Sequence, residues 1–396
     1  MSFFDTVDRL ITIVRCRYID RYIKEGTGHM RFTVSQPALS EALSIVMKGV
    51  AGASTLPILS GVLIRATEGV LEFHTSNYTI SIRHRIAARV EEEGETVIPC
   101  KMLSNITKTL PDAPVSFEVA DRQVSITCEK SSFRLNTLDP ADFPEFPTIA
   151  LERSVELPCD ILSEMVGRVW RVTSTDKNRP VLNGVYMTVE NNTVRLVATD
   201  SYRLAVCDTQ VETSSLEGSF ELNVPAEAFN DALNIMGGQP TIMIGSTDTQ
   251  VVFAAGNTTY VSRRIEGTYP NYKALLPATC ATTVKIDVES FSAALKRVAV
   301  VAQANSAVKF EISAETGSMG LSAISNDQDQ AAETIDVEVE GASGVIAFNY
   351  HYIFGCLNVL NREKELTLEL QSYSQAGIFK SYDKINYLYL VMPVRI

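Results

Sequence analysis

Residues 179–200 read RPVLNGVYMTVENNTVRLVATD, and residues 56–77 read LPILSGVLIRATEGVLEFHTSN. Laid one over the other, Pro57 falls on Pro180, Leu59 on Leu182, Gly61 on Gly184, Phe73 on Leu196 and Asn77 on Asp200, all at one offset. A fainter third stretch, SAVKFEISAETGSMGLSAIS (306–325), sets Leu321 on Leu196 at nearly the same interval. Self-similarity at a fixed interval decides the architecture before any local signal does.

The repeat extends outward. DFPEFPTI (142–149) resembles TYPNYKAL (268–275), with Phe143 on Tyr269, Pro144 on Pro270 and Phe146 on Tyr272. The chain ends in VMPVRI, where Pro393 sits one interval beyond Pro270. Three copies follow, over 30–150, 153–278 and 284–396, joined by ALERSVEL (150–157) and PATCATTVKI (277–286), which lack helical periodicity. Residues 1–29 form an N-terminal extension of unassigned role. Charges at Asp5, Asp8, Arg9 and Arg15 make it a poor signal peptide. Its spacing predicts an amphipathic helix from Phe3 to Ile23, and Met30 offers an alternative start.

Bulk properties narrow the class. At roughly 100–200 residues per domain, 396 residues imply two to four domains. No apolar run approaches the ~20 residues of a membrane helix, so no membrane partner is expected. The net charge of −12 argues against a surface-wide basic patch. Seven scattered cysteines without a CxxC suggest neither a disulfide framework nor a zinc cluster, which fits a cytoplasmic location. There is no HExxH and no GxxxxGK[ST], so neither cofactor nor metal nor self-contained nucleotide chemistry is expected.

Each copy has the same internal order: a short strand and a helix, a strand-rich stretch, a second helix, then more strands. The first helices are SQPALSEALSIVMKGV, CDILSEMVGRVWRVT and DVESFSAALKRVAVVA, with Ser35, Asp160 and Asp287 as expected N-caps. The second helices are CKMLSNITKTL, PAEAFNDALNIM and NYHYIFGCLNVLN. Between them PVSFEVA, QVSITCE, TVRLVAT, TQVVFAA, ELTLELQ and YLYLVMP alternate as strands do. The expected fold class is α+β: three tandem homologous domains, each with two helices packed on antiparallel sheet.

The outer faces of these helices carry Lys48, Lys101, Lys108, Arg168, Arg171, Lys296 and Arg297, whereas acid concentrates in strand segments such as EEEGE (91–95) and ETIDVEVE (333–340). An ordinary solvated face accounts for this, and the second helix of copy two, with Glu227 and Asp231 and no Lys or Arg, favours that reading. The functional alternative is a modest cationic lining aimed at a polyanion, through sequence-independent phosphate contacts.

TLPIL (55–59), LNG (182–184), ATDSYRLA (198–205), the two FP and YPNY segments and the terminal MPVRI occur in order across three copies. Together they make residues 30–396 resemble the bacterial sliding clamps, the β subunits of the replicative DNA polymerase III. The resemblance implies a head-to-tail homodimer, a six-domain ring of which one chain supplies half, with helices lining the hole and sheets outside. It implies sequence-independent contact with double-stranded DNA and no catalysis. Its partners would be the polymerase III catalytic subunit, an ATP-dependent clamp loader and other proteins carrying the clamp-binding motif, a short peptide with a Gln and apolar residues.

Carried over residue by residue, the peptide pocket comprises Arg179, Val181, Leu182, Thr199, Ser201, Tyr202, Arg203, Leu204, Pro270, Leu275, Asn349, Tyr352, Met392, Pro393, Val394 and Ile396. Leu182, Leu204, Leu275, Pro270 and Val394 would line an apolar slot, and Asn349 with the backbone near Met392 would hold the Gln. The seven basic helix residues would face DNA. Phe143, Phe146, Val301, Ala304 and Asn305 would lie at the dimer interface. The chain departs from the family in three places: Ser201-Tyr202 stands where relatives carry His or Gly, Ala53-Ser54 replaces a basic residue, and Ala304-Asn305 replaces large apolar ones.

Two other classes compete. Ser201 beside Asp200 resembles part of a hydrolase triad, which needs a histidine base in reach. Against it, His74 and His84 lie in strand-like segments, and the repeat equivalents of Ser201 are Tyr78 and Asn326. A β-rich scaffold protein would share the fold pattern without needing basic helices.

Overall fold

The computed structural model describes residues 29–52, 56–151, 153–211, 219–302, 306–324 and 329–395. The expected leader helix lies outside the described residues, as do Ala53, Ser54, Ala304, Asn305 and Ile396.

Copy one runs β1 (Met30–Ser35), α1 (Gln36–Val46), β2 (Gly61–Thr67), β3 (Val70–Ser76), β4 (Ile80–Ala87), β5 (Arg89–Glu92), β6 (Gly94–Pro99), α2 (Cys100–Thr109), β7 (Pro114–Ala120), β8 (Gln123–Cys128) and β9 (Ser131–Asn136). Copy two runs β10 (Arg153–Pro158), α3 (Cys159–Val169), β11 (Gly184–Glu190), β12 (Thr193–Thr199), β13 (Arg203–Gln210), β14 (Phe220–Pro225), α4 (Ala226–Met236), β15 (Thr241–Ser246), β16 (Gln250–Ala255) and β17 (Thr258–Arg263). Copy three runs β18 (Thr282–Asp287), α5 (Val288–Ala299), β19 (Ala307–Ser313), β20 (Ser318–Ile324), β21 (Gln330–Asp336), β22 (Glu338–Glu340), β23 (Gly344–Asn349), α6 (Tyr350–Val359), β24 (Glu365–Leu370), β25 (Gly377–Ser381) and β26 (Asn386–Val391).

The chain divides into two compact units. One holds residues up to Thr75 with Arg85–Pro144; the other holds Ser76–His84 with Glu145–Ile396. In the first, β5-β1-β7-β8-β9 form an antiparallel sheet. Met30, Phe32 and Val34 of β1 and Val115, Phe117 and Val119 of β7 point to one face, as the two-residue period of a strand requires, and Phe32 stacks on Phe117 at 4.6 Å. α1 and α2 pack together there.

In the second unit α3 pairs with α4 and α5 with α6. One sheet, β14-β11-β12-β13-β26-β25-β24-β18-β22, runs from copy two into copy three through β13 and β26, with Arg203 opposite Val391 and Leu204 opposite Leu390. Residues 80–84 of β4 pair with β17 in the same way, Ile80 opposite Ser262 and Ser81 opposite Val261. The repeat glycines have a steric reason. A Cβ on Gly61 would stand 2.4 Å from Val97 Cγ1, and one on Gly184 would stand 2.2 Å from Asn223 Oδ1 and 2.9 Å from the Val224 carbonyl.

Of the three expected N-caps only Asp287 acts as one, accepting from the Ser290 N–H at 2.8 Å. Ser35 holds the cap position but makes no side-chain cap bond. Asp160 lies inside α3, because Pro158 takes the cap position and the Cys159 N–H already donates to the Pro240 carbonyl.

Candidate functional site

The β12–β13 turn is built by its own polar residues. Asp200 Oδ1 accepts from the N–H groups of Tyr202 (2.9 Å) and Arg203 (3.0 Å), while Thr199 Oγ1 donates to the Arg203 carbonyl at 2.7 Å and accepts from the Ser201 N–H. These bonds hold Ser201 at φ 79°, a left-handed turn conformation. The Ser201 hydroxyl accepts from Arg179 Nη1 at 2.9 Å, and Arg179 is itself tied to Asp176. The Asp200 carboxylate thus engages backbone amides and Arg203 instead of an imidazole, so Asp200 and Ser201 form a turn and not a nucleophile with its base.

Arg203 is the hub. Its Nε donates to Asp200 Oδ2 at 2.9 Å, its Nη1 to the Tyr389 hydroxyl at 3.3 Å and its Nη2 to the Arg171 carbonyl at 3.0 Å. Its guanidinium carbon sits 4.9 Å from the centre of the Tyr352 ring. Burial opposes the charge, but Tyr389 and Asp200 outweigh it and hold the group above its ordinary value. Burial also pushes the Tyr389 phenol far up, so it stays protonated and donates to the Tyr352 carbonyl at 2.9 Å. Tyr389 was not singled out from sequence, although the alternation of NYLYLV places Tyr387 and Tyr389 on one buried face.

Beneath this turn lies a buried apolar cluster of Val197, Leu204, Val206, Tyr269, Tyr272, Ile378 and Leu390, with Val181 packed against it. Tyr186 stacks on Tyr269 at 4.8 Å. Leu204 is 1% exposed and Leu182 8%, so both are core and neither is an open wall of a slot. The exposed apolar side chains are Tyr202 (59%), Leu275 (58%) and Met392 (47%). Pro270 is also exposed, and Pro393 and Val394 are half-buried. The backbone holds the C-terminal segment here: the Met392 N–H donates to the Tyr202 carbonyl at 2.9 Å, and the Val394 N–H to the Ala347 carbonyl at 2.9 Å. Asn349 uses its side-chain oxygen to cap α6, accepting from the His351 N–H.

The basic residues expected on one lining divide. Arg168 is corrected: it is 8% exposed, with Nη2 on Glu164 (2.8 Å) and Glu363 (3.3 Å) and Nη1 on the Ile385 carbonyl, so it is a buried structural cation. Arg297 is exposed but gripped at both ends of its guanidinium by Glu333. Arg171 lies over the Trp170 ring at 4.8 Å, and Lys48 is exposed near the end of α1. Lys101, Lys108 and Lys296 are exposed and make no ion pair among the described residues.

Phe143 is also corrected. It is 7% exposed, packed on Leu63 and Val97 with the His74 ring edge-on at 5.0 Å, so its ring is buried in the first unit and not available to a second chain. Phe146 is half-buried under the Arg83 guanidinium, and Val301 is half-buried. Val300, which sequence reasoning passed over, is 66% exposed where α5 ends and its buried stripe stops.

Family models for the N-terminal, central and C-terminal domains of the DNA polymerase III beta subunit match residues 30–147, 156–271 and 273–395. The chain is 30% identical over 390 residues to a beta sliding clamp of Synechocystis, covering 93% of this chain and all of that one. It is 32% identical over 374 residues to a beta sliding clamp homolog, GriR, of Streptomyces muensis, covering 92% and 99%. The solved DNA polymerase sliding clamp of Bacillus subtilis superposes with a TM-score of 0.87 at 28% identity, over 93% of this chain and 100% of that one. A Pseudomonas aeruginosa sliding clamp bound to griselimycin gives 0.87 at 25% identity over the same shares.

Proposed function

The chain belongs to the DNA polymerase III beta subunit family, and from that premise we propose that it is a sliding clamp, a non-catalytic processivity factor in DNA replication. Two copies join head to tail into a ring of six domains around duplex DNA, and the ring tethers the polymerase III catalytic subunit. The chain works in the cytoplasm. An ATP-driven loader opens the ring, and partner peptides dock at the β13–β26 joint, their apolar side chains against Tyr202, Leu275 and Met392 above the buried cluster.

The observation that carries this reading is the match of all three consecutive domains, at full length, to proteins named as sliding clamps. With Phe143 buried, the exposed Val300 at the end of α5 supports that end as apolar area for a second copy.

The test is topological. Protein placed by a loader on closed circular plasmid is expected to stay bound through gel filtration and to be lost when a single cut linearises the circle. Equal retention on circular and linear DNA would sink the clamp reading.

A further inference from the structure

The second unit contains a cavity of about 400 Å³ away from the β13–β26 joint, within the range of roughly 300–1,000 Å³ typical of ligand sites. Its wall includes Tyr78, Thr79, Ser81, Pro147, Arg263 and Arg264, all of which belong to that unit. Its position in the repeat is informative. The Arg263 N–H donates to the Thr79 carbonyl at 3.1 Å, as the Met392 N–H donates to the Tyr202 carbonyl at 2.9 Å. Asn77 Oδ1 accepts from the N–H groups of Thr79 and Ile80, as Asp200 Oδ1 does from those of Tyr202 and Arg203. Tyr78 at φ 66° matches Ser201 at φ 79°. Ser81 faces Val261 across the strands as Leu204 faces Leu390. Pro147 follows Phe146 as Lys273 follows Tyr272, beside Leu275. The cavity therefore lies where the internal repeat places a counterpart of the β13–β26 joint.

The scaffold is shared but the chemistry is changed. By strand pairing, Leu204 and Met392 at the joint become Ser81 and Arg263 at the cavity, and Arg264 follows Arg263. Arg264 donates from Nη1 to the Thr247 carbonyl at 3.3 Å, and its buried Nε has no acceptor among the described residues. Arg263 is exposed and has no ion-pair partner among the described residues. Glu266 also lines the wall, which leaves one net positive charge. The Tyr78 ring, 55% exposed, offers an apolar surface beside these cations.

We propose that this cavity is a second peptide-docking site, for a short extended segment that sets a carboxylate against Arg263 and Arg264 and an apolar side chain on Tyr78. A guanidinium pair grips a carboxylate through two-pronged, charge-assisted hydrogen bonds. A neutral peptide offers only carbonyl oxygens, which bond more weakly to a guanidinium than a carboxylate does, so the two sites select different partners. The site does not depend on the β13–β26 joint being occupied.

The experiment uses the full chain and a displayed library of random octapeptides. A pool enriched in Asp or Glu is expected, whose binding falls at least about tenfold on Arg263→Glu and on Tyr78→Gly. Both positions are exposed, and glycine suits the left-handed backbone at Tyr78. Met392→Asp at the other joint is expected to leave that pool bound, which separates failure here from failure there. Enriched peptides without acidic residues, or unaffected by Arg263→Glu, would overturn the proposal. So would a single-stranded oligonucleotide that binds in their place and is lost with Arg263→Glu, since the cavity would then be a nucleic-acid contact.

Discussion

At the scale of single residues, core and contact side chains at the β13–β26 joint separate by exposure. Leu204 is 1% exposed within the apolar cluster, whereas Met392 is 47% exposed above it. Leu204→Ala removes buried methyl groups and leaves a cavity, so it is expected to cost about 2–5 kcal/mol of stability. Met392→Asp changes little inside and is expected to abolish binding of a dye-labelled peptide carrying a glutamine, a leucine and a phenylalanine. The single tryptophan, Trp170, sits at the end of α3 in the same unit, so its fluorescence in urea reads the stability half of the comparison. Fluorescence anisotropy of the peptide reads the other half. A Met392→Asp protein that folds as the parent does and binds the peptide unchanged would remove Met392 from the slot.

At the scale of elements, the strands were legible because alternation survives burial: PVSFEVA and TVRLVAT are β7 and β12, and YLYLVMP holds all of β26 but Asn386. The helices were legible from spacing, their first turns less so. A cap depends on which backbone donors remain free, and in α3 the Pro240 carbonyl had already taken one. Arg168 was misread because helical spacing gives an angle around the axis and says nothing of Glu363 or Ile385, which arrive from copy three to cover it. Phe143 was misread because its repeat partner Tyr269 gave no hint of exposure, and Tyr269 is itself buried. Asp287 yields a prediction with a sign. The Ser290 N–H holds its carboxyl below the ordinary value of 3.8. A depressed carboxylate contributes stability that is complete above the unfolded value and lost as pH falls through the lower folded one. Asp287→Ala is therefore expected to cost about 1 kcal/mol near neutral pH. That difference should shrink as pH falls below the ordinary carboxyl value and through the lowered folded one, where the charged cap is lost. Thermal melts of both proteins across that range, followed through Trp170, make the check. A gap that stays constant into acid would mean the charge contributes nothing.

At the scale of the whole molecule, a net charge of −12 sits oddly with a protein proposed to hold a polyanion, unless holding and touching are different things. Direct contact with six to ten phosphates releases counterions, and affinity then falls by roughly 10³–10⁵ between about 50 and 200 mM salt. Of the seven cations expected to face DNA, Arg168 is buried and Arg297 is paired, which leaves Lys48, Lys101, Lys108, Arg171 and Lys296 exposed. A closed ring needs only enough positive charge to keep the acidic strands off the duplex, because escape requires a DNA end or a broken interface. Weak, sequence-blind contact is then what permits sliding. Two salt dependences should therefore differ in one preparation. Binding to short linear duplex is expected to be feeble and to vanish as salt rises through that range. The fraction held on a closed circle after loading is expected to stay level until the subunit interface itself opens. Val300→Lys, which puts charge on exposed apolar area at the end of α5, is expected to lower the salt at which that release occurs. Gel filtration of loaded circles at stepped salt measures the curve. Release that tracks the linear-duplex curve would show that contact, not enclosure, holds the protein, and the small basic lining would then have to carry a load for which it has too few charges.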